Sequence, residues 1–313
     1  MASHGGILGA IDFGGTKTAL ALVAPGGSVL HRERVPTPPR PTPHDMADLL
    51  AERFQRLWTE AGRPPLRALG VAAPGPADPA SAVLHRAFDW GWRDVPLGAL
   101  LAERLGLPIR LDNDVNCCTL AEGRFGAARG RRTFFWLQVS TGVGGGLVVD
   151  GRLHRGSGGM AGEIGHIVLE EDGPPCACGR RGCLEALVSG PAILRRYREA
   201  GGRAAHTQDV FTAAAQGNEQ AASLLSSVAR DLGRAVAITV NLIDPELIVL
   251  GGGVITGFAP YLEATRAVAR ARVLRDVDTD PTAAVPLCCT TLGGDAALLG
   301  AAALAATRRP AAR

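Results

Sequence analysis

Short apolar segments separated by glycine-rich turns occur in both halves of the chain. Ile7–Asp12 and Thr18–Val23 flank a turn at Gly14 and Gly15, which predicts a β-hairpin, and Gly26-Gly27 predicts a second turn that extends it. Thr133–Asp150 repeats this order, with a predicted glycine-rich turn at 141–146 between two strands. One such unit in each half predicts a duplicated α/β architecture with a cleft between two lobes.

Other segments have the apolar spacing of helices or of short buried strands. Helices are predicted at His44–Gly62, Ala221–Asn241 and Ala296–Ala306, and strands at Leu69–Ala73, Pro108–Leu111 and Leu247–Leu250. The proline-rich segment Pro36–Pro43 predicts a stiff, extended connector. We expect an N-terminal α/β lobe at residues 1–112 and a larger C-terminal α/β lobe at 113–296. A C-terminal helix at about 297–313 is expected to pack back on the first lobe.

Composition narrows the class of protein. With 313 residues, 46% of them hydrophobic and 20% charged, the chain is predicted to be globular. A net charge of +3, spread over both halves, predicts no nucleic-acid partner. Neither a signal peptide nor a membrane-spanning segment is recognisable, so we expect a cytoplasmic protein without a membrane partner.

The segment from Gly162 to Glu185 concentrates metal-binding side chains. Cys176, Cys178 and Cys183 are spaced for chelation, and three thiolates with the His166 imidazole would complete a tetrahedral zinc site of the structural type. The alternative is a set of small buried apolar side chains. Pro174-Pro175 before the first cysteine and Arg180-Arg181 before the last favour an exposed loop, and therefore zinc. Glu163 and Glu185 flank the site without being needed as ligands.

The first glycine-rich turn has the features of a phosphate site. Asp12-Phe13-Gly14-Gly15-Thr16-Lys17 presents consecutive backbone N–H groups, to which Thr16 adds a hydroxyl, and Asp12 is a candidate for Mg²⁺. A plain hairpin turn is the alternative. The similar sequence Ser140–Gly146 favours the phosphate interpretation, while the sequence has neither a Walker motif nor a dinucleotide-binding fingerprint.

A third polar group is Asn113-Asp114-Val115-Asn116, between a predicted strand and a predicted helix. A carboxylate at this position is either a helix cap or a general base. As a base, Asp114 would accept a hydroxyl proton while that oxygen attacks phosphorus, and the two asparagines would bind neighbouring hydroxyls.

Together these motifs resemble the ROK family of sugar kinases and sugar-responsive repressors. The resemblance rests on DFGGTK, NDVN, STGVGGGLVVDGRLHRGSGGMAGEIGH, CACGRRGCLE and LGGGVI, and it extends from Gly9 to about Ala306. It implies a two-lobed actin-like (ribonuclease H-like) ATPase fold of the hexokinase-like superfamily, with a cleft between the lobes. ATP, Mg²⁺ and a structural Zn²⁺ would be the cofactors, and a homodimer or higher homo-oligomer is expected.

The resemblance also implies roles for individual residues. Asp114 would be the catalytic base. The sugar would be contacted by Gly75, Asn113, Asp114, Glu163, His166 and Glu185, with His166 also binding zinc beside Cys176, Cys178 and Cys183. The nucleotide and Mg²⁺ would be bound by Asp12, Gly14, Gly15, Thr16, Lys17, Thr141, Gly142, Gly251, Gly252 and Gly253.

The expected reaction is ATP-dependent phosphorylation of the 6-hydroxyl of a hexose. The segment Phe88–Leu97 resembles one that glucokinases carry, so glucose is the expected sugar. N-acetylmannosamine, N-acetylglucosamine and fructose stay open as substrates, and polyphosphate as the donor. A sugar-binding regulator without catalysis and a zinc-stabilised interaction module stay open as functions. Only eight residues precede Gly9, so we expect no DNA-binding domain.

Overall fold

The computed structural model describes residues 6–87, 90–274 and 285–307. The chain forms two compact units. The first unit comprises Met1–Arg129, Gly156–Met160 and Asp295–Arg313, and the second comprises Gly130–Arg155 and Ala161–Gly294. The lobe boundary predicted after residue 112 stays a prediction, while the compact units divide after Arg129.

The first unit is built on a five-stranded sheet. Its strands are β1 (Ile7–Phe13), β2 (Lys17–Val23), β3 (Val29–Pro36), β4 (Leu66–Ala73) and β8 (Ile109–Asn113), and they lie in the order β3-β2-β1-β4-β8. β1 pairs antiparallel with β2 and parallel with β4, and β4 pairs parallel with β8. The predicted N-terminal hairpin and its extension by a third strand are therefore confirmed. The parallel pairs bring the carboxyl ends of β1, β4 and β8 to one edge of the sheet.

Three helices of this unit follow the strands along the chain. They are α1 (Pro43–Glu60), α2 (Leu97–Leu105) and α3 (Asp114–Phe125). The prediction that 36–43 is wholly a connector was wrong at both ends, because Pro36 lies in β3 and Pro43 begins α1. Proline is accepted in the first turn of a helix, and Thr42 and Asp45 cap this one reciprocally.

A small sheet in the first unit includes part of the segment 88–97. Its strands are β5 (Ala77–Asp78), β6 (Val83–Ala87) and β7 (Trp92–Val95). Trp90 stacks on Phe13 with 5.0 Å between ring centroids, and the Trp92 indole N–H donates to the Pro41 carbonyl. Of the segment 88–97, Phe88 and Asp89 lie outside the described residues. The aromatic contacts fix its remainder against the end of β1.

Small residues let the last helix, numbered α9 (Ala296–Ala306), approach the first sheet and α3 closely. A Cβ on Gly70 would lie 1.8 Å from the Ala301 carbonyl oxygen, and one on Gly300 would lie 1.8 Å from the Cys117 carbonyl oxygen. Both distances are shorter than any tolerated contact, so the backbones meet only through glycine. The prediction of a helix at Ala296–Ala306 is confirmed; residues 308–313 of the predicted 297–313 lie outside the described ranges.

The second unit also has a five-stranded sheet. Its strands are β9 (Phe134–Val139), β10 (Val143–Val149), β11 (Arg152–His154), β12 (Leu247–Gly251) and β13 (Leu287–Cys289), in the order β11-β10-β9-β12-β13. The helices are α4 (Leu184–Val188), α5 (Gly190–Glu199), α6 (Thr207–Ala215), α7 (Glu219–Ile243) and α8 (Leu262–Arg270). The predicted long helix and the predicted strand before the triple glycine are confirmed. No helix among the described residues is long and apolar enough to cross a membrane.

The predicted turn at 141–146 was too long, because Gly144, Gly145 and Gly146 pair with β9 as part of β10. These glycines serve packing. A Cβ on Gly145 would lie 2.3 Å from the Phe135 ring and 2.8 Å from the Gly162 carbonyl oxygen. The glycines therefore allow the segment that leads to His166 to lie directly on β10.

Candidate functional site

The first glycine-rich turn is held by backbone and hydroxyl hydrogen bonds. The Gly14 N–H donates to the Lys17 carbonyl at 3.1 Å, which closes the turn. From the far side, the Thr37 hydroxyl donates to the Gly14 carbonyl at 2.7 Å, and the Thr37 N–H donates to the Thr16 carbonyl at 3.0 Å. The amino-acid sequence alone does not indicate this role of Thr37. A hydroxyl in a proline-rich connector was the only local signal, and its partner lies 23 positions away.

Asp12 lies at the end of β1, directly before this turn. Burial of its carboxyl group, followed by the negative charge of Asp114, raises the pKa of Asp12 to about 7, while Arg34 opposes the rise. A carboxyl that is half protonated near neutral pH is prepared to exchange its proton for a cation. This electrostatic state suits the predicted Mg²⁺ role of Asp12.

Asp114 is the first residue of α3 and is oriented by a hydrogen-bond network. Its Oδ1 accepts hydrogen bonds from Asn113 Nδ2 and from the Val115 N–H, both at 2.9 Å. Asn113 caps the helix through Oδ1, and its Nδ2 also contacts the Gly75 carbonyl at 3.3 Å. The helix cap is therefore Asn113. The Asp114 carboxylate is left with a fixed orientation at the carboxyl end of β8.

Asp112, the residue before this polar group, and Asn116 within it support the position of Asn113. Asp112 is fully buried, and its Oδ1 accepts from the Asn113 N–H at 2.8 Å and from Asn116 Nδ2 at 2.9 Å. Asn116 is thus turned toward Asp112, which makes it a support for the cap. Gly75 has φ +115, and a Cβ there would lie 2.2 Å from the Arg86 carbonyl oxygen. This loop accepts only glycine beside Asn113.

The second glycine-rich turn connects β9 and β10. The Ser140 N–H donates to the Gly142 carbonyl at 2.8 Å, and the Ser140 carbonyl accepts from the Gly190 N–H at 2.8 Å. The Val143 N–H donates to Glu185 Oε2 at 3.0 Å. Gly252 packs beside this turn, because a Cβ on it would lie 2.3 Å from the Val139 carbonyl oxygen. The predicted adenosine-side glycines thus adjoin the predicted phosphate turn.

The four predicted zinc ligands form one cluster. Ligand atoms of His166, Cys176, Cys178 and Cys183 all lie within 4.8 Å of one another. Cys178 Sγ and Cys183 Sγ are 3.6 Å apart, and His166 Nδ1 is 3.7 Å from Cys176 Sγ. Zinc–sulfur bonds of about 2.3 Å in a tetrahedron would place two sulfurs about 3.8 Å apart. The donor set and its spacing therefore fit a divalent zinc ion.

The structure brings the predicted site residues together in two separate groups. The group of the first unit contains Asp12, Gly14, Gly15, Thr16, Lys17, Gly75, Asn113 and Asp114. The group of the second unit contains Thr141, Gly142, Glu163, His166, Cys176, Cys178, Cys183, Glu185, Gly251, Gly252 and Gly253. Within the first group Lys17 is exposed, and within the second Glu163 is exposed just before the 3₁₀ turn that carries His166. Their functional roles stay predictions.

Family models, curated relatives and solved structures all match this chain to one family. The model of a family described as the ROK family matches residues 8–308. A glucokinase of Halalkalibacterium halodurans is 33% identical over 93% of this chain and 92% of its own length. An N-acetylmannosamine kinase of Escherichia coli O1:K1 is 36% identical over 95% of this chain and 97% of its own length. The crystal structure of a ROK family glucokinase from Streptomyces griseus, in complex with glucose and AMPPNP, has a TM-score of 0.80 at 30% identity. That match covers 96% of this chain and 99% of the other.

Proposed function

The chain belongs to the ROK family, and we propose that it transfers the γ-phosphoryl group of ATP to the 6-hydroxyl of glucose. It is an ATP-dependent sugar kinase with an actin-like α/β fold. The observation that carries the proposal is the fixed Asp114 carboxylate. Asn113 Nδ2 and the Val115 N–H hold one of its oxygens, and its charge adds to the effect of burial in raising the pKa of Asp12.

In the proposed reaction Asp114 accepts the proton of the 6-hydroxyl as that oxygen bonds to the γ-phosphorus. The bond from this phosphorus to the β,γ-bridging oxygen breaks, and ADP leaves. Little covalent help is needed from the protein, so orientation of the hydroxyl by Asp114 is the main contribution of this residue. Mg²⁺, when bound, would neutralise charge on the phosphates, and Asp12 is the residue proposed to hold it through water.

The remaining site residues receive supporting roles. The backbone of the two glycine-rich turns, with Thr16 and Thr141, is proposed to bind phosphate oxygens, and Gly251–Gly253 to adjoin the adenosine. Asn113 and Gly75 are proposed sugar contacts in the first unit. Glu163, His166 and Glu185 are proposed sugar contacts in the second unit. His166 Nδ1 faces the cysteine cluster, which leaves the other ring nitrogen for a sugar hydroxyl.

The proposal is tested by coupled ADP release from purified protein with a panel of hexoses and N-acetylhexosamines. We expect glucose to give the highest kcat/KM with ATP and Mg²⁺. N-acetylmannosamine is the competing substrate, because the relative that uses it is as similar as the glucokinases are. A higher kcat/KM for N-acetylmannosamine would replace glucose in the proposal. Negligible release with every sugar would refute the kinase reaction itself.

We also propose that the cysteine cluster binds zinc and supports the sugar-binding side chains. Zinc would supply a fixed tetrahedral anchor, with no chemical step of its own. Chelation, or the ligand variant Cys178→Ser, is expected to weaken glucose binding about tenfold or more, because His166 loses its anchor. ADP binding should change less. Zinc content by elemental analysis and both affinities by calorimetry measure this outcome.

Cys289→Ser is the matched control for Cys178→Ser. Cys289 is a partly buried cysteine of β13 outside the cluster, so its replacement should leave zinc content and both affinities unchanged. An equal loss of glucose and ADP binding on chelation would contradict the proposed local role, since it would mean that the metal holds the fold of the whole unit.

A further inference from the structure

Glu185 connects the cysteine cluster with the second glycine-rich turn. It lies in α4, directly after the Leu184 that follows Cys183. Its Oε1 is 3.8 Å from Cys176 Sγ, while its Oε2 accepts the Val143 N–H at 3.0 Å. One carboxylate oxygen is therefore committed to the backbone of the β9–β10 turn. This hydrogen bond to the turn indicates a role for Glu185 beyond the proposed contact with the sugar.

The Val143 amide needs this acceptor. Val143 is 5% exposed, and a buried N–H without a partner is costly. Val143 is the first residue of β10 paired with β9, and the carbonyl of its partner Val139 already accepts the Val254 N–H at 3.2 Å. Loss of the carboxylate would leave Val143 to find water or move, and Thr141 and Gly142 would move with it.

Gly142 is fitted to this arrangement. A Cβ at this position would lie 2.9 Å from Glu185 Oε2, so a side chain would push the carboxylate from the Val143 amide. The start of α5 braces the same turn a second time, because the Gly190 N–H donates to the Ser140 carbonyl and the Thr207 hydroxyl donates to the Gly190 carbonyl. The turn is thus fixed from one side by residues that directly follow the cysteine cluster.

We propose that Glu185 is a positioning residue for nucleotide phosphates. By holding the Val143 amide, its carboxylate keeps the Thr141 and Gly142 backbone in the conformation that receives phosphate oxygens. This inference rests on the proposed function, because it takes the turn to be a phosphate site. Glu185 would thus have a second role, toward the nucleotide, besides its proposed sugar contact. This second role depends on the length of the side chain and on an acceptor oxygen more than on the negative charge.

Two substitutions separate reach from charge. Glu185→Gln keeps the length of the side chain and an acceptor oxygen for Val143. Glu185→Asp keeps the charge but shortens the side chain by one methylene, which takes it out of hydrogen-bond distance. We expect Glu185→Asp to weaken Mg²⁺–ADP binding about tenfold. Glu185→Gln should stay within about twofold of wild type, while both variants raise the KM for the sugar.

Calorimetric titration of Mg²⁺–ADP into sugar-free protein is the deciding measurement, with melting temperature and zinc content recorded for each variant. Glu163→Gln is the matched control, because Glu163 is also a proposed sugar contact and its described hydrogen bond uses the backbone carbonyl. It should raise the KM for the sugar and leave ADP affinity unchanged.

The possible results discriminate clearly. ADP binding that is weakened by Glu185→Gln and kept by Glu185→Asp would mean that charge matters and would overturn the inference. Unchanged ADP binding in both variants would overturn it as well. A loss of ADP affinity in Glu185→Gln would overturn the inference even if Glu185→Asp lost zinc or had a lower melting temperature. Wild-type protein that binds no ADP would refute the proposed function, and this inference with it.

Discussion

Replacing Asp114 by Asn is expected to lower kcat about 10²- to 10⁴-fold, the usual contribution of a positioned general base. Asparagine has nearly the same volume, and its amide oxygen still accepts from Asn113 Nδ2 and the Val115 N–H. It does not accept the proton of the 6-hydroxyl. Glucose affinity should therefore change by only a few-fold, because the hydrogen-bonding side chain remains in place. Coupled ADP release gives kcat, and calorimetry gives the sugar affinity.

Asp150→Asn is the control for Asp114→Asn. Asp150 is an exposed carboxylate at φ +51 that pairs with Arg132, and asparagine accepts this backbone conformation as readily. Its kcat should match that of wild type. Turnover by Asp114→Asn within tenfold of wild type would remove Asp114 from the role of base. Equal loss in both variants would point to a general effect on the protein.

The elements that the sequence predicted well are those whose signal is local. The first hairpin follows from apolar runs at Ile7–Asp12 and Thr18–Val23 with glycine between them, and α9 from a continuous apolar run of alanines and leucines. The metal cluster was predictable for the same reason, because His166 and the three cysteines lie in one short segment. The helices α2, α4, α5, α6 and α8 were missed, since each is short and has little room for a periodic pattern.

The features that the sequence did not predict depend on contacts between distant segments. Gly145 was assigned to a turn because nothing nearby shows that Phe135 and Gly162 press on it. Thr37 acts through hydrogen bonds to Gly14 and Thr16, and Glu185 through one to Val143; in each case the partners lie far apart along the chain. Similarly, the sequence places Asp12 beside a turn, but only the folded structure shows its burial. That burial is the origin of its altered pKa.

Asp12→Asn is expected to stabilise the protein at alkaline pH. Asp12 has a pKa of about 7 in the folded protein and an ordinary value of 3.8, so the folded state binds more protons between these values. Stability therefore falls as pH rises from about 4 to about 7 and stays reduced above it. The full shift corresponds to at most about 4 kcal/mol, and residual solvent exposure of Asp12 lowers this figure. Asparagine cannot ionise, so it removes this loss of stability, and it also removes the carboxylate proposed to hold Mg²⁺.

Denaturant unfolding at pH 8 and pH 5, without Mg²⁺ or nucleotide, measures this effect. Asp12→Asn should exceed wild type in unfolding free energy at pH 8, and the difference should shrink at pH 5, where wild-type Asp12 is protonated. The variant should also lose most Mg²⁺-dependent turnover, as expected where a site is held at a cost in stability.

Asp45→Asn is the control of opposite sign for Asp12→Asn. Hydrogen bonds from Thr42 lower the pKa of Asp45, so its charged form is the one that the fold favours. Its replacement should give no gain in stability at pH 8. Because these two carboxyl groups differ in the direction of their pKa shifts, general loss of negative charge cannot produce both results. An Asp12→Asn variant no more stable than wild type at pH 8 would show that Asp12 is ionised there without penalty. That outcome would remove the exchange of a proton for Mg²⁺ from the account of this site.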